Sequence, residues 1–215
     1  MKIKYLAHSS FVITSEKGVK IVTDPFNQGI GLRYAPVNET ADILLITHDH
    51  PDHNNTSAVK GAQVIKESGS KEVKGIKIKG ISAPHDDKEG KERGNIVIYS
   101  FVVDNLKLCH AGDLGTALTS KQIEEIGPVD ILFIPVGGFF TLDPSAAARV
   151  CDQIKPRIII PMHYKTAKAD YPIKGVEEFT SGKKNVRQID NSESDILANK
   201  MPSTTEILVL KPALL

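Results

Sequence analysis

Apolar and polar positions alternate in three short runs before residue 26, KIKYLAH, FVITS and VKIVTDP, with turn residues between them, which predicts an antiparallel meander of three strands. A glycine-bearing loop, residues 26 to 40, follows. Next comes ADILLIT, whose continuous apolar run predicts a strand buried on both faces. VKGIKIKGISAPH reads as one or two strands ending at His85, and NIVIYSFVVDNLKLCHAGD as a hairpin turning at Asp104-Asn105 and ending at Asp113. TSKQIEEIG predicts a short helix and VDILFIPVGG a buried strand. DPSAAARVCDQI predicts a helix with Asp143 as N-cap and Pro144 at its first position. RIIIPMHY adds a strand ending near a histidine, VEEF a helix, and TEILVL a last strand. The two halves of the chain share a loose order of strands, hairpin, strand and helix, and a two-layer sheet core with outer helices suits it.

Several of these buried runs end in polar, ionisable groups. The sharpest case is LLITHDHPDH, where three histidines and two aspartates crowd into six positions after an apolar strand. In extended backbone, His48, His50 and Asp52 point to one side while His53 reaches beside them. Pro51 keeps His50 out of helical geometry until a helix can begin near NNTS. Imidazoles and a carboxylate are ligands for zinc or a similar divalent ion, and four candidates exceed the three protein ligands usual for one open catalytic zinc. Two metals sharing the loop are therefore expected. An isolated HxH would read as a polar turn; HxHxDH directly after a buried strand does not. Asp49, between two ligands, should point away from them.

Composition narrows the classes of function. With 215 residues, about 40% of them hydrophobic, one domain spanning 1–215 can bury a full core. Lys plus Arg number 27 against 26 acidic residues, so no general field draws the chain to nucleic acid or anionic lipid. Cys109 and Cys151 lack CxxC spacing and read as buried free thiols, as in a reducing compartment. The N-terminal segment has no signal-peptide apolar region, and no run is long enough to span a bilayer, so a cytoplasmic location is expected, without nucleic-acid or membrane partners.

Four motifs in order, THDHPDH, SAPHDD, HAGDLG and IPMHY, together with AHSSF and TDP, resemble the metallo-β-lactamase superfamily. Within it they resemble the small single-domain branch that includes ascorbate-phosphate lactonases and N-acyl phosphatidylethanolamine phospholipase D. The landmarks run from residue 8 to residue 164, about three quarters of the chain. The resemblance implies an α/β, four-layer αββα sandwich of two mixed sheets with outer helices. It further implies that His48, His50 and His85 hold one metal, that Asp52, His53 and His163 hold the other, and that Asp113 bridges them. Two divalent ions are expected, zinc first, with manganese, iron or nickel as alternatives. A hydroxide shared by the two ions would attack a small ester, a phosphodiester or a lactone. Two dications outweigh two aspartates and one hydroxide, so anionic or polar esters suit the site.

Asp52 and Asp113 join the candidate catalytic group as metal ligands, and Tyr164 as donor to the substrate oxyanion, with a core tyrosine as the alternative for the last. Other candidates carry two readings each. His8 is a substrate or ligand contact, or a strand-end histidine. Asp24 orients a ligand histidine, or merely ends a strand. His110 favours a buried structural role. GGFFT, residues 137 to 141, is a site wall or a plain turn with core phenylalanines. Asn54 and Asn55 stand where the superfamily often has glycines, and His50 stands where its diiron members carry a carboxylate, which disfavours redox iron chemistry. The other functions weighed are a nuclease, which lacks here the basic arm of RNA-processing members, and a metal-binding scaffold or sensor without turnover.

Overall fold

The computed structural model describes residues 1–215 throughout. The first sheet takes β1 (Lys2–Ala7), β2 (Ser10–Thr14) and β3 (Lys20–Thr23) as the expected antiparallel meander. After β4 (Glu39–Thr40), β5 (Ile43–Leu45) pairs parallel with β3; after β6 (Val59–Lys60), β7 (Gln63–Ile65) extends the sheet beyond β5. β4 and β6 form a small parallel ladder of their own. The second sheet begins as an antiparallel run of β8 (Gly69–Val73), β9 (Ile76–Pro84), β10 (Asn95–Val103) and β11 (Leu106–His110). The hairpin between β10 and β11 turns at Asp104-Asn105, both with positive φ. It continues parallel through β12 (Ile131–Pro135) and β13 (Ile158–Met162). β14 (Val186–Ile189) and β16 (Glu206–Leu210) complete that edge, whereas β15 (Glu193–Asp195) crosses to pair with β1.

Period-two alternation sorts the first sheet. Ile3, Tyr5, Phe11, Ile13, Ile21, Ile43 and Leu45 face the second sheet in the main core, and Leu6, Val12, Val22, Leu44 and Ile46 face outward into a second cluster. This explains why ADILLIT reads as an unbroken apolar run. The helices α1 (Ser120–Ile126), α2 (Pro144–Ile154) and α3 (Val176–Thr180) all bury their apolar residues in the main core. Thr119 and Gln122 form a capping box on α1; Asp143 caps α2 through Ala146 N at 2.7 Å, with Pro144 at the first position.

The α/β sandwich of two mixed sheets is the expected class, with one difference in its outer layers. No α-helix packs into the outward cluster of the first sheet, where the only helical contribution is Ala58 of a 3-10 turn. That face is covered by the segment after Asp24, which plugs Phe26, Leu32, Tyr34 and Val37 into the second cluster. Gly29 and Gly31, with φ of +84° and +89°, and Pro36 interrupt any helical run there, so the cover is held by side-chain burial at about 1.5–3 kcal/mol per large apolar group. The helix expected near NNTS is likewise only a single 3-10 turn, Thr56–Ala58.

Cys109 and Cys151 are buried free thiols, and burial pushes both up to about 12. The native protein should therefore leave an aromatic disulfide reagent at pH 8 almost unreacted, and denaturation should release both thiols; rapid native labelling would contradict this burial.

Candidate metal centre

The C-terminal ends of β1, β3, β5, β9, β11 and β13 converge on one rim of the sandwich and deliver, in order, His8, Asp24, residues 47–53, His85, Asp113 and His163. His8 sits in the two-residue turn between β1 and β2 at φ +57°, and His163 at φ +51°; the His163 amide donates to the His8 carbonyl at 2.8 Å, tying the two sheets together there. Gly115 lies so close beneath the strand end that a Cβ there would collide with the His85 carbonyl group.

His48 through His53 is not extended throughout. The His53 amide donates to the His50 carbonyl at 2.9 Å, closing a turn around Pro51. The turn splits the motif. His48 and His50 meet His85, whereas Asp52 and His53 meet His163 and His8; His48, His53 and Asp113 form a third, overlapping group between them. All seven residues of the expected ligand set are thus brought together. Asp113 Oδ2 is 3.2 Å from both His53 Nε2 and His163 Nε2, and 3.7 Å from His85 Nε2.

The surroundings orient these groups. Asp24, fully buried, accepts from Thr47 N at 2.8 Å and Thr47 Oγ1 at 2.7 Å and lies 3.0 Å from His53 Nδ1. Thr47 Oγ1 in turn is 3.0 Å from His48 Nδ1. Each imidazole therefore turns its Nε2 inward, and His48 Nε2, His53 Nε2 and Asp113 Oδ1 are buried without a hydrogen-bond partner. An unpartnered buried polar atom costs about 1–3 kcal/mol, so a cluster of them facing one another is what a divalent ion with nitrogen and oxygen ligands would relieve. The donor set fits such ions. His8 adds Nε2 at 3.2 Å from Asp52 Oδ2, with its ring against His163.

Charge follows the same geometry. Burial, reinforced by His163, lowers His8 to about 4; burial, reinforced by His53, lowers His48 to about 3. Burial opposes ionisation of Asp113 too, but His163 and His53 outweigh it and hold the carboxyl well below its usual range. His53 is raised against the cost of burial by Asp113 and Asp52.

One expected role is corrected. Tyr164 is buried away from the cluster, with its hydroxyl 3.4 Å from the Leu210 carbonyl and its ring near Tyr5. β13 ends at Met162 and His163 turns at positive φ, which sends the next side chain into the core. The tyrosine at the site is Tyr171, which donates to the Ile30 carbonyl at 2.7 Å and lies 3.5 Å from Asp52 Oδ2; its loop carries no spacing that could have singled it out. The GGFFT segment is a wall rather than a core turn: Phe139 is 69% exposed and Phe140 packs edge-on against Tyr171. His110 is structural, with Nδ1 accepting from Gly112 N at 3.2 Å and Nε2 donating to the Ser9 carbonyl at 3.0 Å. Asp49 is exposed and pairs with Lys66 at 3.0 Å. Asp49→Ala should leave metal content per chain unchanged; a loss of metal would contradict its outward placement.

A sequence profile of the beta-lactamase superfamily domain matches residues 2–163. The chain is 33% identical to a UPF0173 metal-dependent hydrolase of Thermococcus onnurineus, over 77% of this chain and 85% of that protein. It is also 33% identical to a UPF0173 metal-dependent hydrolase of Carboxydothermus hydrogenoformans, with the same coverage. Among solved structures, a candidate zinc-dependent hydrolase of the metallo-β-lactamase superfamily from Thermotoga maritima superposes with a TM-score of 0.82 at 34% identity, covering 97% of each chain.

Proposed function

We infer, for a chain that belongs to the metallo-β-lactamase superfamily of metal-dependent hydrolases, a binuclear centre acting on a small anionic or polar ester, a phosphodiester or a lactone. The observation that carries this reading is the split of one motif into two ligand groups with Asp113 between them. His48, His50 and His85 would hold one ion, Asp52, His53 and His163 the other, and Asp113 both. Zinc suits this donor set, and bound divalent ions would supply an acidified water and polarise the ester oxygen.

The protein's own part is orientation and exclusion. Asp24 and Thr47 hold His53 and His48 with the correct nitrogen inward. His8 and Tyr171 hold Asp52, and Tyr171 packs edge-on against Phe140 beside it. A cavity of about 510 Å³ reaches His85, a volume suited to a small molecule. No helix is long and apolar enough to cross a membrane.

Elemental analysis of the purified protein for zinc, manganese, iron and nickel tests the reading. About two ions per chain, followed by turnover in a matched phosphodiester and lactone screen, is the expected result. One ion per chain would overturn the binuclear centre, and none after reconstitution would overturn the hydrolase chemistry.

A further inference from the structure

The cavity that starts at His85 runs away from the metal ligands between the loop after β9, the GGFFT wall and α2, and two cations face it, Arg93 and Arg149. Neither guanidinium is in a salt bridge or donates a side-chain hydrogen bond within the protein, although Arg33, Arg157 and Arg187 all do. The acids around them are largely engaged. Asp86 spends its carboxylate on four backbone amides, those of Lys88, Gly90, Glu92 and Arg93, at 2.7–3.1 Å. Asp87 lies 3.4 Å from Lys88 Nζ, and Asp143 caps α2. Glu92 alone is uncommitted, so two free guanidinium groups face one free carboxylate.

Arg93 is also held in place. The Asp86 bonds fix the loop from which it projects, and its guanidinium lies 4.6 Å from the centroid of the Phe140 ring. Thr141, which lines the same cavity, is 9% exposed and its Oγ1 has no hydrogen-bond partner. A pre-positioned guanidinium, a second one lining the same cavity and an orphaned hydroxyl are the parts of an oxyanion subsite.

We propose that Arg93 and Arg149, with Thr141, bind an anionic group of the substrate that is separate from the bond cleaved, so that the substrate is a small ester carrying its own phosphate or carboxylate. Its role as a substrate subsite rests on the hydrolase reading of the metal centre. Phe140 gives the carbon skeleton between the two ends an apolar face.

The test is calorimetric titration of the zinc-reconstituted full chain at low salt with phenyl phosphate, benzoate and neutral benzyl alcohol. The anions should bind and benzyl alcohol should not at the same concentrations. Preference for phenyl phosphate assigns a phosphate, and preference for benzoate a carboxylate. Arg93→Gln and Arg149→Gln should each weaken binding about 10-fold, with metal content and Tm unchanged, and Arg149→Lys should recover part of the loss. Anion affinity unaltered in both glutamine variants would overturn the subsite, since the anion would then lie on the metals alone. A chain that takes up no metal yet binds phenyl phosphate through these arginines would overturn the hydrolase reading instead.

Discussion

Asp113→Ala is expected to lower metal occupancy at both halves of the centre together and to reduce hydrolysis by more than about 100-fold, the upper end of what orienting groups alone contribute. The side chain is the only carboxylate within 3.7 Å of His53, His85 and His163 at once. Its Oδ1 is buried without any hydrogen-bond partner in the protein. Removing it takes the one carboxylate shared by both ligand groups, and with it the negative charge that would offset two dications, while the remaining imidazoles are neutral donors that cannot replace that charge. Elemental analysis decides the matter. A variant that keeps its full complement of metal would show that Asp113 serves neither ion, and loss confined to one ion would show that it serves only one.

The second large effect is predicted at a residue that touches no metal. Asp24→Ala removes the acceptor of two Thr47 bonds and the partner of His53 inside a fully buried pocket, so it should cost about 3–5 kcal/mol of stability and about 10- to 100-fold in metal affinity. The pH dependence has a definite sign in metal-free protein. Asp24 is held below its ordinary value: burial opposes this most strongly, and the bond to His53 together with the charges of His53, His110 and His48 outweighs it. Its contribution is therefore present above about pH 3.9 and is lost as pH falls through the depressed folded value. His53 is raised, so its contribution is complete below about pH 6.5 and is lost as pH rises through the raised value. The stability gap between wild type and variant should thus be widest between about pH 4 and pH 6.5 in chemical denaturation with chelator present. A gap that grows steadily with pH above 7 would contradict the pairing.

Much of this arrangement was readable from the chain because its signals are local. Period-two alternation marks the first three strands, and the cap at Asp143-Pro144 marks α2. A histidine-rich motif after a buried strand survives any uncertainty about the strand's exact end. What escaped depends on contacts between distant segments. β14 and β15 are polar and short, and they exist because β16 and β1 offer them ladders. The loop after Asp24 reads as irregular and is irregular, but its service as an outer layer appears only once Phe26, Leu32, Tyr34 and Val37 meet the outward side chains of the sheet. Tyr164 and Tyr171 make the same point for the site: the tyrosine beside His163 in sequence is turned into the core, and the one beside Asp52 in space comes from a loop 119 residues away. The turn at Pro51 is invisible to side-chain periodicity, which carries no record of the His53 amide folding back on the His50 carbonyl.

The ligand groups come from strand ends in both sheets, with His163 clasped to His8 by a backbone bond across the join. An ion held there is a crosslink between halves of the sandwich that are separated by most of the chain, and its binding energy is also folding energy. The balance between folded and unfolded chains then becomes a function of free metal concentration, rising as the logarithm of that concentration over the dissociation constant. Seen as thermodynamic linkage, the same residues that would perform hydrolysis would also make the persistence of the fold a readout of metal supply.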